Sequence, residues 1–173
     1  MAPDIAGLRL AMVNVFFLGE PGASEWVLVD AGLPGAAPRI MQAAAERFGV
    51  GNPPAAILLT HGHFDHVGAL RSLLHEWNVQ VFAHRLEMPY LNGRSSYPPP
   101  DPRVGGGLMA LLSPLYPKGP IVLGSHLESL PNDGTVPHAA DWRWFHTPGH
   151  APGHISLFRE RDRAMLAGDA FVT

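Results

Sequence analysis

The sequence predicts an α/β fold in which a sheet is flanked by helices, on the strength of two observations. From the N-terminus a strand hairpin is followed by regions whose apolar spacing alternates between the helical and the strand period, in the order α-β-α-β. In addition, the five apolar residues at 55–59 have the length of a buried strand. They run straight into Thr60-His61-Gly62-His63-Phe64-Asp65-His66-Val67-Gly68, which reads as a loop at the C-terminal end of that strand. With 173 residues, 46% of them hydrophobic, the chain is expected to form one domain with a real core.

Taken in order, residues 8–18 and 26–29 read as two strands joined across the turn-rich Glu20-Pro21-Gly22-Ala23-Ser24. Asp30-Ala31-Gly32 ends the second strand, and its acid either stabilises the turn or stands beside a metal ligand. Over residues 34–48, Ile40, Met41, Ala44, Ala45 and Phe48 keep helical spacing, and Gly49 suits the stop. A second helix is expected from 67 to 77, with Leu70, Leu73, Leu74 and Trp77 on one face. Asp65 and His66 then sit at a helix N-terminus, whose dipole favours the ionised carboxylate that a metal needs. Residues 78–83 alternate like a strand, and a short helix is expected over 85–91.

The character changes over residues 92–119. Pro98-Pro99-Pro100-Asp101-Pro102 is stiff and extended, Gly105-Gly106-Gly107 is loose, and residues 108–112 are a short apolar helix candidate. The glycine triplet lacks the Lys-Ser/Thr and the preceding strand of a phosphate loop. The segment is therefore expected to be a lid over a cleft or an interface insertion. Beyond it, residues 121–123, 127–130, 142–145, 154–158 and 164–166 read as strands, with turns at 131–134 and 159–162.

A formal charge of −3 and a pI near 6.3 give no basic footprint, so nucleic acid is not an expected partner. No apolar run reaches membrane-spanning length, and the start Met1-Ala2-Pro3-Asp4 lacks the basic region and cleavage site of a secretory signal. The expectation is a cytoplasmic protein with no membrane partner. Without cysteines, any metal must be held by His, Asp or Glu, and a thiol nucleophile is impossible. A serine-hydrolase G-x-S-x-G elbow is also absent.

Three histidines and a carboxylate fall within six residues at His61, His63, Asp65 and His66. In a chain with 10 histidines the pattern HxHxDH arises by chance with a probability of about 0.001. Held this close, such groups repel when protonated and gain little when neutral unless a cation shares their lone pairs. Imidazole together with carboxylate suits zinc, iron or manganese better than calcium. Two later stretches share the form of a strand running into a short loop with a candidate ligand. Residues 142–146 lead into Thr147-Pro148-Gly149-His150-Ala151-Pro152-Gly153-His154, and residues 165–167 into Gly168-Asp169-Ala170. Singly, the first is compatible with a tight loop and the second with turn chemistry.

Together and in this order, HxHxDH, TPGHxPGH and GDA resemble the metallo-β-lactamase superfamily of metallohydrolases, in its glyoxalase II-like and lactonase-like branch. Val29-Asp30-Ala31-Gly32 looks like the early acidic turn of that family. The resemblance covers nearly all of the chain. It implies an αββα-sandwich and two metal ions, zinc first, with iron or manganese as alternatives. It further implies that His61, His63 and His150 hold one ion, that Asp65 and His66 serve the second, and that Asp169 bridges both. His154 matches a position that follows the ligand without coordinating.

Members of the family supply one more histidine to the second ion from a segment well beyond the bridging Asp. This chain stops at Thr173, four residues after Asp169, and His75, His84, His126, His138 and His146 all precede it. The C-terminal part of the second half-sandwich is accordingly expected to be missing. The chain is then a piece of a longer protein, the partner of a complementing segment, or a one-metal member. Uncovered apolar sheet would favour association, including with a second copy.

The reaction implied is hydrolysis of a small-molecule ester, thioester or lactone by hydroxide generated at the metal, with Asp65 orienting it and passing a proton to the leaving group. One alternative is a persulfide dioxygenase of the same fold, holding a single iron through His61, His63, His150 and Asp169. Another is a non-catalytic fragment.

Overall fold

The computed structural model describes residues 2–97 and 121–171. The chain opens as an antiparallel meander: β1 (Ile5–Leu10) pairs with β2 (Val13–Leu18), and β2 with β3 (Val27–Val29). Where the sequence predicts one strand over 8–18, the chain instead reverses at Ala11, whose φ is +57°. A left-handed alanine is uncommon, and no Gly, Pro or Asn announces the turn.

From β3 onward the pairing is parallel. β4 (Ala56–Leu58), β5 (Gln80–Ala83) and β6 (Leu127–Ser129) add one after another to give the sheet order β1-β2-β3-β4-β5-β6. The crossovers carry α1 (Ala37–Phe48), then α2 (Phe64–Val67) and α3 (Leu70–Trp77), then α4 (Met88–Leu91). α1 buries Ile40, Ala44 and Phe48, four residues apart, and α3 buries Leu70 with Leu73 and Leu74 three and four residues on. Both stripes join the same core cluster on one face of the sheet, where Trp26 stacks on Phe48 at 4.3 Å.

The single helix expected over 67–77 is divided at Gly68. A Cβ there would lie 2.3 Å from the Pro34 nitrogen, so the chain passes hard against the β3–α1 loop. Gly68 N–H donates to Gly32 O (2.8 Å) and Ala31 N–H to His66 O (2.7 Å). The loop after β4 is thereby laced to the loop after β3. The helix expected over 85–91 contracts to α4, and the strand expected at 121–123 is a single bridge from Val122 to Asn92. That bridge joins Asn92 to Val122, while the lid or interface suggested by the proline and glycine stretches of the 92–119 segment lies outside the described residues.

A three-stranded antiparallel sheet, β7 (Trp142–His146), β8 (Ile155–Arg159) and β9 (Ala164–Leu166), packs against the other face of the first sheet. Its inward residues Trp142, Ile155, Leu157 and Leu166 meet Val27, Val29 and Leu58 in a second cluster. On its outward face Phe145 and Met165 remain half exposed, at 52% and 50%. The buried Arg159 bonds Asp4 and Asp162 and lies 4.8 Å above the Trp142 ring, tying the N-terminal turn to this sheet. The layers run helix, sheet, sheet. Among the described residues no helix is long and apolar enough to cross a membrane.

Candidate metal centre

Asp30 follows β3 and the Thr60–His66 stretch follows β4, so both emerge at the C-terminal edge of the parallel strands, where open α/β sheets place ligands. The second sheet delivers two loops to the same edge: residues 147–154 between β7 and β8, and the 3₁₀ turn Gly168–Ala170 after β9. Ile155 N–H donates to Thr60 O (2.9 Å), pinning the start of β8 to the loop after β4.

Ligand-type atoms converge in two overlapping trios, His61, His63, His150 and His61, His66, Asp169, each with its atoms within 4.8 Å of one another. His63 Nδ1 and His150 Nε2 are 2.8 Å apart, and Asp169 places its two oxygens 3.4 Å from His66 Nε2 and 3.3 Å from His150 Nε2. Asp65 belongs to neither trio, and its Oδ2 stands 4.0 Å from His66 Nε2.

Behind the trios, each buried ring is turned inward by a bond on its far side. Asp30 accepts from Thr60 N–H and Thr60 Oγ1–H (both 2.8 Å) and contacts His66 Nδ1 at 2.9 Å, while Thr60 Oγ1 lies 3.1 Å from His61 Nδ1. Asp30 holds φ +62°, a conformation that Asp tolerates. The result is that His61 Nε2 and His66 Nε2 face the centre, buried and without a hydrogen-bond partner. Buried polar atoms are nearly always satisfied. Two orphaned imidazole nitrogens beside a carboxylate fit a cation that takes their lone pairs.

The charges agree. Burial, and then the neighbouring imidazoles, hold His61 well below the ordinary histidine value, and burial with His150 lowers His63 to about 4. Both rings are neutral, the form that ligates metal. At Asp169 burial opposes ionisation, but the nearby charges of His66, His150 and His154 outweigh it and lower the carboxyl. At His66 burial is likewise outweighed, by Asp30 and Asp169, which raise it well above its ordinary value. Burial lifts the Asp65 carboxyl.

His154 uses both ring nitrogens elsewhere: Nδ1 meets Thr147 Oγ1 (2.9 Å), and Nε2 accepts from Asp169 N–H (3.0 Å). The neighbouring Gly168 has φ +54°, and a Cβ on it would come 2.7 Å from His154 Nε2. The glycine of the Gly-Asp pair is thus what lets Asp169 approach His154. Sequence reasoning missed Thr60, Thr147 and Glu87, a fully buried carboxylate at the end of the β5–α4 turn. One signal was present, since Glu87 follows β5 much as Asp30 follows β3 and His61 follows β4.

Comparison with known proteins adds family membership. Residues 8–173 match the profile of the Metallo-beta-lactamase superfamily. The chain is 48% identical over 173 residues to "Probable metallo-hydrolase YflN" of Bacillus subtilis (strain 168), covering 99% of this chain and 66% of that protein. It is 30% identical over 114 residues to "Hydroxyacylglutathione hydrolase GloC" of Haemophilus influenzae, covering 65% and 48% respectively. Among solved structures, the Rm3 metallo-beta-lactamase superposes with a TM-score of 0.66 at 25% identity, over 94% of this chain and 56% of that one. The chain therefore spans between about half and two thirds of the length of these relatives. A helix–sheet–sheet stack whose strand ends gather histidines and aspartates, with a family match over almost its whole length, makes this chain a member of the metallo-β-lactamase superfamily.

Proposed function

We propose that this chain carries the metal centre of a metal-dependent hydrolase acting on a small-molecule ester, thioester or lactone. The observation that carries the reading is the pair of buried, unpartnered nitrogens, His61 Nε2 and His66 Nε2, facing His63, His150 and Asp169. His61, His63 and His150 would hold one ion and His66 with Asp65 a second, with Asp169 between them; zinc is the first choice. A divalent ion bound there supplies Lewis acidity toward a carbonyl and acidifies water near neutral pH. The chain's own residues do the rest. Asp65, lifted by burial, accepts a proton from the attacking water and returns it to the leaving group. Asp30 and Thr60 fix the His66 and His61 rings, and His154 fixes the Asp169 backbone. A thioester is supported by the name of the hydroxyacylglutathione hydrolase relative. The reading includes a cytoplasmic location and no nucleic-acid partner.

The test is hydrolysis of a panel of esters, thioesters and lactones by the full-length protein. Activity should disappear on chelation, return with zinc, and be lost in His63→Ala. Stoichiometric iron with oxygen uptake on a persulfide would replace the hydrolase by the dioxygenase.

A further inference from the structure

Glu87 is completely buried, at 0% exposure, yet carries a carboxylate. Burying such a group is unfavourable unless hydrogen bonds replace its water. Three donors do so. Glu87 Oε1 accepts from Gly153 N–H (2.6 Å), and Oε2 accepts from Gly62 N–H (2.9 Å) and from the Tyr97 hydroxyl. Gly62 stands between His61 and His63, while Gly153 sits in the loop that carries His150 and directly precedes His154. One side chain thus holds a backbone amide from each of the two ligand loops, which arrive from different sheets.

Both contacts depend on a missing side chain. A Cβ at Gly153 would meet Glu87 Cγ at 2.8 Å and Oε1 at 2.9 Å, and one at Gly62 would meet the Tyr97 oxygen at 2.5 Å and Glu87 Oε2 at 3.3 Å. Tyr97, held by the same carboxylate, lays its ring edge-on to His63 at 4.6 Å and stacks on Tyr90 at 3.9 Å. Glu87 therefore reaches His63 by two routes, through the Gly62 amide and through Tyr97.

We infer that Glu87 is a positioning residue of the metal centre, setting the separation of the His61/His63 loop from the His150 loop before any ion binds. This rests on the metal-centre half of the proposed function and not on the identity of the substrate. A residue that merely braced the fold would support stability without governing the ligands.

The test compares the full-length protein with Glu87→Gln. The glutamine keeps the shape, but its NH₂ group cannot accept from an amide N–H, so one loop loses its anchor. The expected result is an unchanged circular dichroism spectrum, zinc affinity weaker by about 10- to 100-fold, and a shifted visible band in the cobalt(II)-loaded protein. Wild-type zinc affinity and an unshifted cobalt band, whatever happens to the melting temperature, would overturn the inference. Should Glu87→Gln not fold, amide hydrogen exchange on the unmodified, metal-free protein decides. Gly62 and Gly153 N–H should be protected, and free exchange at both overturns the inference. A protein that binds zinc but hydrolyses nothing would sink the hydrolase while leaving Glu87 in its role, and one that binds no metal would sink both.

Discussion

The two halves of the candidate ligand set are built to different standards. His61 and His66, on the loop after β4, are 0% and 3% exposed, each oriented from behind by Thr60 or Asp30. His150 and Asp169, from the second sheet, have side chains 34% and 26% exposed. Their loops are held through the backbone instead, Asp169 N–H on His154 and Gly153 N–H on Glu87. His61 and His66 are thus preformed by packing around their side chains, while His63 and Asp65 on the same loop are only partly buried. The second half is docked onto the first by a few long-range bonds.

Variants that remove one support at a time separate the two halves by their effect on the metal centre. His61 belongs to both trios, so His61→Ala should lose the ion held with His63 and His150 and weaken retention of the second, read by elemental analysis after dialysis. Asp30→Ala strips three partners at once, Thr60 N–H, Thr60 Oγ1–H and His66 Nδ1. It should weaken zinc binding by about 10- to 100-fold and lower stability by about 3 kcal/mol, measured by competition titration and urea unfolding. His154→Phe frees the Asp169 amide, and the expected outcome is about tenfold weaker zinc binding with a smaller stability loss than Asp30→Ala. If His154→Phe proved the more damaging to stability, the second half would be as tightly built as the first.

Arg159→Met should separate fold from site. It removes the bonds to Asp4 and Asp162 and should lower stability, measured by urea unfolding. Zinc affinity should not change. The pH dependence follows from the same junction: burial opposes ionisation of Asp4, but its bonds to Arg159 outweigh burial and lower its carboxyl below the ordinary value. The folded state therefore gains stability from Asp4 above about pH 4, and that gain is lost as pH falls through the folded value. Asp4→Asn should be less stable than wild type at neutral pH and converge with it in acid, as followed by unfolding at several pH values.

Much of this was legible in one dimension. HxHxDH marks its loop because the ligands are close in sequence, and residues 78–83 read as a strand because polar and apolar alternation is local. Asp30 remained ambiguous between a turn and the metal because its partners lie 30 and 36 residues away. Glu87 was missed for the same reason, since its amide donors are 25 and 66 residues distant and backbone amides leave no mark in a sequence. The reversal at Ala11 carried no turn residue, so two strands read as one.

The central claim, that both halves share one metal centre, is tested most directly by anomalous diffraction at the zinc edge from crystals of the zinc-loaded full-length protein. The expected result is a peak about 2.0–2.1 Å from ring nitrogens of His61, His63 and His150, with Asp169 beside it. No peak within either trio, or an ion bound at His63 and His150 without His61, would overturn that reading.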